Sequence, residues 1–246
     1  KVIQCITKAL DESLALQVRA LAVSSQGEAI IPVSRTGEAL SNSITTFDNR
    51  SIEECKWISD RIGKQDILNI TGLPLHPMFS LSKIMWFIRN KPEIADRVWK
   101  YMCYGDFISY KLGAEAAIDY SMASRTMAFN INTKSWDDLI LRTCGINPDK
   151  LSLSVLSGTK IGNIHPEIAR KLSLSEETVI AAGGHDQACN ALGVGVVEPG
   201  TAMNSIGTTE SILYVDKEKY VSEYLSRNNI PCNHYVLEGV FSYMTF

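Results

Sequence analysis

Residues 178–213 constrain the fold more than any other part of the chain. An apolar run at 178–182 indicates a strand, and it is followed by two glycines and by His185-Asp186-Gln187. A run of small residues at 188–196 then predicts a helix. In open α/β sheets, ligands bind where the carboxyl ends of strands meet loops and helix starts. The pattern therefore predicts an α/β fold with a binding site beside Asp186.

A second strand is predicted after Pro199-Gly200, and it ends at Gly207-Thr208-Thr209. Backbone amides and threonine hydroxyls in a short turn can point at one anion, so this turn is a candidate phosphate site. An ordinary turn between strands is the alternative, and it is favoured when the three residues are considered alone.

The composition narrows the class of protein. The chain has 246 residues, enough for one large domain or two smaller ones, and 45% of them are hydrophobic. The net charge of -3, without a basic cluster, gives no indication of nucleic-acid binding. No apolar run reaches membrane-spanning length. We therefore expect neither a nucleic acid nor a membrane as a partner.

The cysteines and the chain ends carry two further expectations. Six cysteines are spread along the chain without a C-x-x-C pair, which favours reduced thiols and a cytoplasmic location over a disulfide framework or a zinc site. The chain begins with Lys1 rather than methionine, and it stops within an apolar run at Phe246. We therefore expect a chain truncated at both ends.

The other elements are predicted from apolar periodicity and turn residues. Helices are expected at 2–16, 51–62, 80–89, 136–144 and 165–172, with one or two more within 92–112, where Trp99, Tyr101 and Tyr104 are expected in the core. Strands are expected at 18–24, 29–33 and 234–243, loop and strand at 119–131, and an extended segment at 157–164. Ser51 and Glu54 have the spacing of a capping box.

Asp186 is the strongest candidate for a catalytic residue. A carboxylate at the end of a strand can accept a proton from a substrate hydroxyl, as a general base does. The alternative is that Asp186 caps a helix beginning at Gln187, and the two roles are compatible. The neighbouring His185 is more often a structural group than a ligand.

Polar side chains also follow other predicted strands. Gln26 and Glu28 follow the strand at 18–24, and they are candidates for hydrogen bonds to substrate hydroxyls. Asp48 and Arg50 are candidates for a pair that binds substrate. A solvated turn and a surface ion pair are the respective alternatives, and such an ion pair adds little stability.

Five segments, taken in order, resemble motifs of the FGGY family of carbohydrate kinases, which includes glycerol kinases and xylulokinases. Residues 119–131, D-Y-S-M-A-S-R-T-M-A-F-N-I, are similar to the family's D-Y-T-N-A-S-R-T-M-L-F-N-I. Trp136-Asp137-Asp138 follows at the matching position. The other three are G-G-H-D-Q at 183–187, N-S-I-G-T-T at 204–209 and Y-V-L-E-G at 235–239.

The resemblance implies an α/β chain of ribonuclease H-like (actin-like ATPase) fold, with a mixed sheet flanked by helices. It implies a sugar or polyol kinase that transfers the γ-phosphoryl group of ATP, with Mg²⁺, to a substrate hydroxyl. Residues 1–197 correspond to the sugar-binding domain without its first strands. Residues 198–246 correspond to the first strands of the ATP-side domain.

Individual positions take their roles from the matching motifs. Asp186 falls on the catalytic base of the family. The expected substrate contacts are Gln26, Glu28, Asp48, Arg50, Met78 and Gln187. The expected nucleotide phosphate contacts are Gly207, Thr208 and Thr209. The resemblance assigns no metal ligand, because the family's first phosphate loop has no counterpart in this chain.

Two departures from the family bear on the substrate. Glycerol kinases of the family have an arginine where this chain has Gly27, and a tryptophan where it has Thr46. Both changes remove bulk, so we expect a roomier pocket, for a polyol or ketose of roughly four to six carbons.

Three expectations concern activity and assembly. Most of the ATP-side domain has no counterpart here, so we expect little or no kinase activity from this chain alone. A kinase-like protein that binds or senses sugar without catalysis is the alternative function. A homodimer is left open, because actin-like folds often assemble.

Overall fold

The computed structural model describes residues 1–12, 18–207 and 210–245. The helices are α1 (Val2–Glu12), α2 (Ile52–Ile62), α3 (Lys64–Thr71), α4 (Ser80–Asn90), α5 (Pro92–Ala95), α6 (Tyr104–Leu112), α7 (Tyr120–Ser124), α8 (Asp138–Cys144), α9 (Pro166–Leu172), α10 (Asp186–Gly193) and α11 (Glu223–Arg227). The strands are β1 (Ala20–Ser25), β2 (Ile31–Val33), β3 (Lys100–Met102), β4 (Ala117–Asp119), β5 (Phe129–Asn130), β6 (Ser135–Trp136), β7 (Leu153–Val155), β8 (Lys160–Asn163), β9 (Val179–His185), β10 (Ala202–Ile206), β11 (Glu210–Asp216), β12 (Cys232–His234) and β13 (Phe241–Thr245).

A mixed sheet in the order β1-β9-β8 carries the candidate site. β1 is parallel to β9, and β8 is antiparallel to β9. Ser25 lies opposite His185, so both parallel strands end at the same edge of the sheet. Helices α6, α7 and α10 pack against these strands. The loops that leave β1 and β9 therefore begin side by side.

Gly183 allows β1 and β9 to approach closely. A Cβ atom at this position would overlap the carbonyl oxygen of Val23 in β1. Any side chain there would push the two strands apart, which explains a glycine inside a strand. The two glycines after the apolar run therefore belong to the strand itself, and β9 extends to His185.

The other strands form smaller sheets. β4 and β7 pair in parallel, whereas β2 with β3 and β5 with β6 are antiparallel pairs. The described strands beyond residue 198 form one antiparallel sheet in the order β10-β11-β13-β12. The predicted domain boundary between residues 197 and 198 precedes this sheet, and it stays a prediction.

One hydrophobic core joins the four-stranded sheet to the helices. Cys232 of β12 and Tyr243 of β13 are buried together with apolar side chains of α2, α4 and α8. The backbone amide of Cys232 also donates to the carbonyl of Gly72 at 2.9 Å. A second core forms where Ile180 and Ala182 of β9 meet α6 and α9. The first core therefore holds the four-stranded sheet against the rest of the chain.

Most predicted elements are confirmed, with ends displaced by a few residues. These are β1, β2, β8, β9 and β10 among the strands and α1, α2, α4, α8 and α9 among the helices. The last part of the predicted helix at 2–16, residues 13–17, lies outside the described residues. The helix predicted at 188–196 begins earlier, at Asp186, and ends at Gly193.

The predicted capping box at Ser51 and Glu54 is wrong. Ser51 precedes α2, but its side chain makes no capping hydrogen bond. Its Oγ donates instead to the carbonyl of Pro77 at 3.2 Å and lies 3.0 Å from Ser82 Oγ. Glu54 is buried and accepts a hydrogen bond from Asn90 Nδ2 at 3.2 Å. Both side chains are used for contacts with α4 and the loop before it.

The prediction for residues 92–112 missed a strand. β3 lies between α5 and α6, and it pairs with β2. Tyr101 in β3 is 3% exposed, as expected for a core residue. Trp99 and Tyr104 are half-buried and pack against a small cluster around Val33.

Two more segments differ from the prediction. Residues 119–131 begin with α7, which Asp119 caps by accepting a hydrogen bond from Ser121 N at 2.7 Å. The strand predicted at 234–243 is divided into β12 and β13, with Gly239 at φ 74° in the turn between them. In both cases a local cap or turn interrupts a run of apolar residues.

Candidate active site

Asp186 and Gln26 lie at the edge where β1 and β9 end. Gln26 follows β1 directly, and Asp186 follows β9 as the first residue of α10. The Asp186 side chain is 45% exposed, and Gln26 is exposed. The sheet therefore brings together two of the predicted site residues, with polar groups that a ligand can reach.

The carboxylate of Asp186 is oriented by its neighbours. Its Oδ1 accepts a hydrogen bond from the backbone amide of Gln187 at 2.7 Å and lies 3.4 Å from Nε2 of His185. The helix begins at Asp186 rather than at Gln187, so Asp186 is not the cap that the alternative interpretation expected. Its bond to Gln187 still satisfies an amide of the first turn.

His185 is a buried, neutral neighbour of this carboxylate. Burial lowers its pKa below the usual value, and the positive charge of Arg125 lowers it further. A neutral imidazole places no positive charge on the His185 side of Asp186. Oε1 of Gln187, the other predicted contact in this segment, is buried and has no hydrogen-bond partner among the described residues.

Glu28 is anchored more firmly than the sequence indicates. It is 3% exposed, and its φ of 65° lies in the left-handed region that is unusual for a residue other than glycine. Its Oε1 accepts a hydrogen bond from Arg125 Nε at 2.5 Å and is also paired with Nη2 of the same guanidinium. Thr46 Oγ1 lies 3.4 Å from Oε2. Glu28 therefore faces inward, as the partner of a buried cation.

Lys83 connects Glu28 to the proline-containing loop that holds Met78. The Lys83 side chain is completely buried, and its Nζ donates to the carbonyls of Glu28 at 3.1 Å and Met78 at 2.5 Å. Burial lowers its pKa to about 8, although the negative charge of Glu28 acts in the opposite direction. The structure thus brings Met78 close to the end of β1.

Asp48 and Arg50 form a bidentate ion pair. Arg50 Nε donates to Asp48 Oδ1 at 2.9 Å, and Nη2 donates to Oδ2 at 2.7 Å. These hydrogen bonds lower the pKa of Asp48, and the nearby charge of Lys83 contributes to the same shift. The guanidinium of Arg50 also lies over the ring of Trp86, 4.9 Å from its centroid. The pair is partly exposed, and it lies close enough to Lys83 for the charge of Lys83 to act on Asp48.

A chain of hydrogen bonds behind the sheet supports the end of β9. Ser121 Oγ donates to Asp119 Oδ2 at 2.5 Å and accepts from the backbone amide of His185 at 2.9 Å. Ser157 Oγ donates to the same carboxylate oxygen at 3.0 Å. Burial raises the pKa of Asp119 to about 6. The residue immediately before Asp186 is thereby attached to α7.

Gly27 packs against the site rather than facing open space. A Cβ at Gly27 would lie 3.0 Å from His185 Cδ2 and 3.3 Å from Arg125 Cβ. The position beside Gly27 is therefore already filled in this structure. Thr46, the other residue expected to enlarge the pocket, is buried, and its Oγ1 donates to the carbonyl of Gly27 at 3.0 Å.

Gly207, one of the three predicted phosphate contacts, lies at a different sheet. Gly207 is exposed and follows β10. Thr208 and Thr209 lie outside the described residues. Within the described ranges, no three His, Cys, Asp or Glu side chains converge as ligands for a metal ion. No helix in the described part of the chain is long and apolar enough to cross a membrane.

Three site residues were missed by the sequence analysis: Lys83, Ser121 and Arg125. Ser121 and Arg125 lie within the 119–131 motif, which served only for the resemblance. Lys83 was predicted on an amphipathic helix, where a lysine is normally solvated. The signal available in the sequence was the position of Lys83 between Leu81 and the apolar pair Ile84-Met85.

Comparisons with known proteins identify the family to which the chain belongs. The model of the N-terminal domain of the FGGY family of carbohydrate kinases matches residues 1–193. The chain belongs to the FGGY family. The gluconokinase of Bacillus licheniformis is 30% identical over 243 residues, covering 97% of this chain and 47% of that protein. The xylulose kinase of Staphylococcus epidermidis (strain ATCC 12228) is 30% identical over 224 residues, covering 89% of this chain and 44% of that protein.

A solved structure supports the fold of this FGGY chain. The gluconate kinase of Lactobacillus acidophilus superposes with a TM-score of 0.90 at 24% sequence identity, covering 99% of this chain and 48% of that one. The predicted ribonuclease H-like (actin-like ATPase) fold is confirmed. The chain spans about half the length of the curated relatives it matches.

Proposed function

We propose that this chain is the sugar-binding part of an ATP-dependent sugar or polyol kinase. The observation that carries the proposal is the exposed carboxylate of Asp186 at the edge where β1 and β9 both end. Membership of the FGGY family supports the same function. Residues 1–197 are assigned to the sugar-binding domain, and residues 198–246 to the first strands of the ATP-side domain.

Asp186 is proposed to act as the general base. Its Oδ1 is held by the amide of Gln187, which leaves Oδ2 to take the proton of the attacking hydroxyl. Phosphoryl transfer depends mainly on positioning and on electrostatic stabilisation of the phosphates, with one residue to orient or deprotonate the nucleophile. An exposed carboxylate fixed at a sheet edge meets that requirement.

The proposed substrate contacts are Gln26, Glu28, Asp48, Arg50, Met78 and Gln187. Lys83 supports the group by holding the carbonyls of Glu28 and Met78. Glu28 itself offers little surface, because Arg125 occupies its Oε1. Its proposed contact with substrate therefore uses Oε2, where the interaction with Thr46 is long.

ATP is proposed as the phosphoryl donor, with Mg²⁺. When bound, Mg²⁺ neutralises phosphate charge, and it is commonly held by one or two carboxylates together with the phosphate oxygens. Such a site does not need a cluster of three protein ligands. Gly207, Thr208 and Thr209 are proposed to contact the phosphates, and the exposure of Gly207 is compatible with that role.

The acceptor is proposed to be a sugar acid or ketose larger than glycerol. The two relatives compared above are named for gluconate and xylulose. The small side chain of Thr46, at the position of a tryptophan in glycerol kinases of the family, supports the same size class.

Three further proposals concern the chain as a whole. Because it spans about half the length of its relatives, we propose that it has little or no kinase activity alone. A cytoplasmic location is proposed from the cysteines, which are free thiols throughout the described residues. A homodimer stays a prediction.

A coupled assay of ADP release by the full-length gene product tests the proposed function. The assay contains ATP, Mg²⁺ and one acceptor from a panel that includes gluconate, xylulose and glycerol. Turnover with gluconate or xylulose, and weaker turnover with glycerol, is expected. The 246-residue chain, assayed in parallel, is expected to release no ADP. An acceptor that raises the melting temperature without any ADP release would favour the sugar sensor instead.

A further inference from the structure

Besides Gln187 Oε1, two more buried polar atoms close to the site have no hydrogen-bond partner among the described residues. They are Nη1 of Arg125 and Oδ1 of Asn233. Arg125 is 3% exposed and Asn233 is 4% exposed, so bulk water does not satisfy either group. Buried polar groups without partners are uncommon, and each requires an explanation.

Both side chains line the same small cavity. Its volume is about 10 Å³. The cavity lies between the end of β9 and the inner face of the four-stranded sheet, with His185 on one side and Leu213, Ser242 and Met244 on the other. A space of this size is about the smallest that admits one water molecule.

The chemistry of the two atoms selects the ligand. A guanidinium nitrogen can only donate a hydrogen bond, and an amide oxygen can only accept one. A cation would meet the positive charge of Arg125, and an anion would meet the lone pairs of Asn233 Oδ1. A small neutral molecule that both donates and accepts satisfies both groups at once.

We propose that this cavity is a binding site for a single ordered water molecule. The water accepts a hydrogen bond from Arg125 Nη1 and donates one to Asn233 Oδ1. Nε and Nη2 of the same guanidinium are bound to Glu28. Arg125 therefore connects the loop after β1, on one side, to β12 through the water, on the other. The presence of the water does not depend on the proposed kinase activity.

A crystal structure of the 246-residue chain, at a resolution that shows buried waters, tests the site directly. We expect a density peak within hydrogen-bonding distance of Arg125 Nη1 and Asn233 Oδ1. An empty cavity in a map that shows other buried waters would overturn the proposal. So would an anomalous signal at this position after a bromide soak, because it would identify an anion site.

Three variants test whether the water requires a hydrogen-bond acceptor at position 233 or only the shape of the cavity. Asn233→Leu removes the acceptor at similar size, and we expect the peak to disappear and the melting temperature to fall by a few degrees. Asn233→Asp keeps an acceptor, and Ser242→Ala changes another residue that lines the cavity. Both should retain the peak. Loss of the peak in Ser242→Ala alone, with Asn233→Leu unaffected, would contradict the assignment.

A kinetic measurement tests the connection to Glu28. It rests on the proposed function and uses the full-length gene product. We expect Asn233→Leu to raise the KM for the acceptor more than it lowers kcat, because Arg125 holds Glu28 less firmly. An unchanged KM, with the water absent from the variant's structure, would overturn the connection. Absence of turnover in the wild type would instead reject the kinase activity and leave the crystallographic result standing.

Discussion

The ammonium group of Lys83 donates a hydrogen bond to the carbonyl oxygen of Glu28 at 3.1 Å, although 55 positions separate the two residues. A second hydrogen bond joins it to the carbonyl of Met78. This buried cation therefore holds two chain segments of the candidate site together. No solvent reaches the Lys83 side chain, and Ser80 Oγ is a second donor to the carbonyl of Glu28, at 3.2 Å.

Replacing Lys83 with methionine is expected to destabilise the fold. Lys83→Met keeps most of the side-chain volume but removes a buried donor from the carbonyls of Met78 and Glu28, and the second of these keeps only its hydrogen bond from Ser80 Oγ. The expected loss in the free energy of unfolding is about 1–3 kcal/mol, measured by urea denaturation. Lys56→Met is the control, because Lys56 is exposed and pairs with Glu53 on the surface of α2. It should change stability by less than about 0.5 kcal/mol. Equal effects of the two variants would contradict the structural role.

The contact between β1 and β9 predicts opposite results for two glycines. Gly183→Ala places a Cβ against the carbonyl oxygen of Val23, so the two strands must separate. We expect a loss of at least about 2 kcal/mol in denaturant unfolding. Gly193→Ala, at the end of α10, meets nothing within 4 Å and should be neutral or stabilising by up to about 1 kcal/mol. A tolerated alanine at 183 would show that the strands are farther apart than described.

Asp106 is expected to make stability depend on pH. It is 4% exposed, and burial raises its pKa from 3.8 to about 7, although Ser152 Oγ donates to Oδ2 at 2.5 Å. The folded protein therefore holds this proton up to a higher pH than the unfolded chain does. The stabilisation that the Asp106 carboxyl contributes is fully present below about pH 4, and it is lost as the pH rises to about 7.

Asp106→Asn cannot ionise, so it should remove this dependence. Between pH 4 and pH 8, the wild type is expected to lose about 1–4 kcal/mol of unfolding free energy relative to the variant. Urea denaturation at several pH values measures the change. Asp60→Asn, at an exposed position on α2, should run parallel to the wild type. Parallel curves for Asp106→Asn would show that this carboxyl titrates normally.

Asp186→Asn is expected to separate binding from turnover. The amide keeps the size of the side chain but cannot accept the proton of a substrate hydroxyl. In the full-length gene product, kcat should fall by about 10²–10⁴-fold, while acceptor binding, followed by a thermal shift, should persist. Asp60→Asn again serves as the control and should retain wild-type turnover. Full activity of Asp186→Asn would remove Asp186 from the role of base.

The elements around Asp186 were predictable because their signals are local. An apolar run, two glycines and a polar triplet lie within ten residues, and the structure has β9 and α10 at these positions. The parallel pairing of β1 with β9 then follows from the fold class. Even here the ends were displaced, because the glycines proved to be part of the strand.

The residues that complete the site were not predictable, because their partners are distant in sequence. Glu28 pairs with Arg125 across 97 positions and with Lys83 across 55. The apolar periodicity of a short stretch of sequence contains no information on contacts between residues so far apart in the chain. The capping box at Ser51 failed for the same reason, since its hydroxyl is bound to Pro77 and Ser82 in the tertiary structure.

The hydroxyl of Ser121 has a single proton, and that fixes the direction of the hydrogen bonds behind the sheet. The amide of His185 can only donate to Ser121, so Ser121 must donate to Asp119. Asp119 Oδ2 accepts from Ser121 and Ser157, and burial raises the pKa of this carboxyl to about 6. A carboxyl oxygen accepts a hydrogen bond whether the group is charged or neutral, so Ser121 can keep the same orientation when Asp119 takes up a proton. The backbone that carries Asp186 therefore has the same link to α7 available in both protonation states of Asp119.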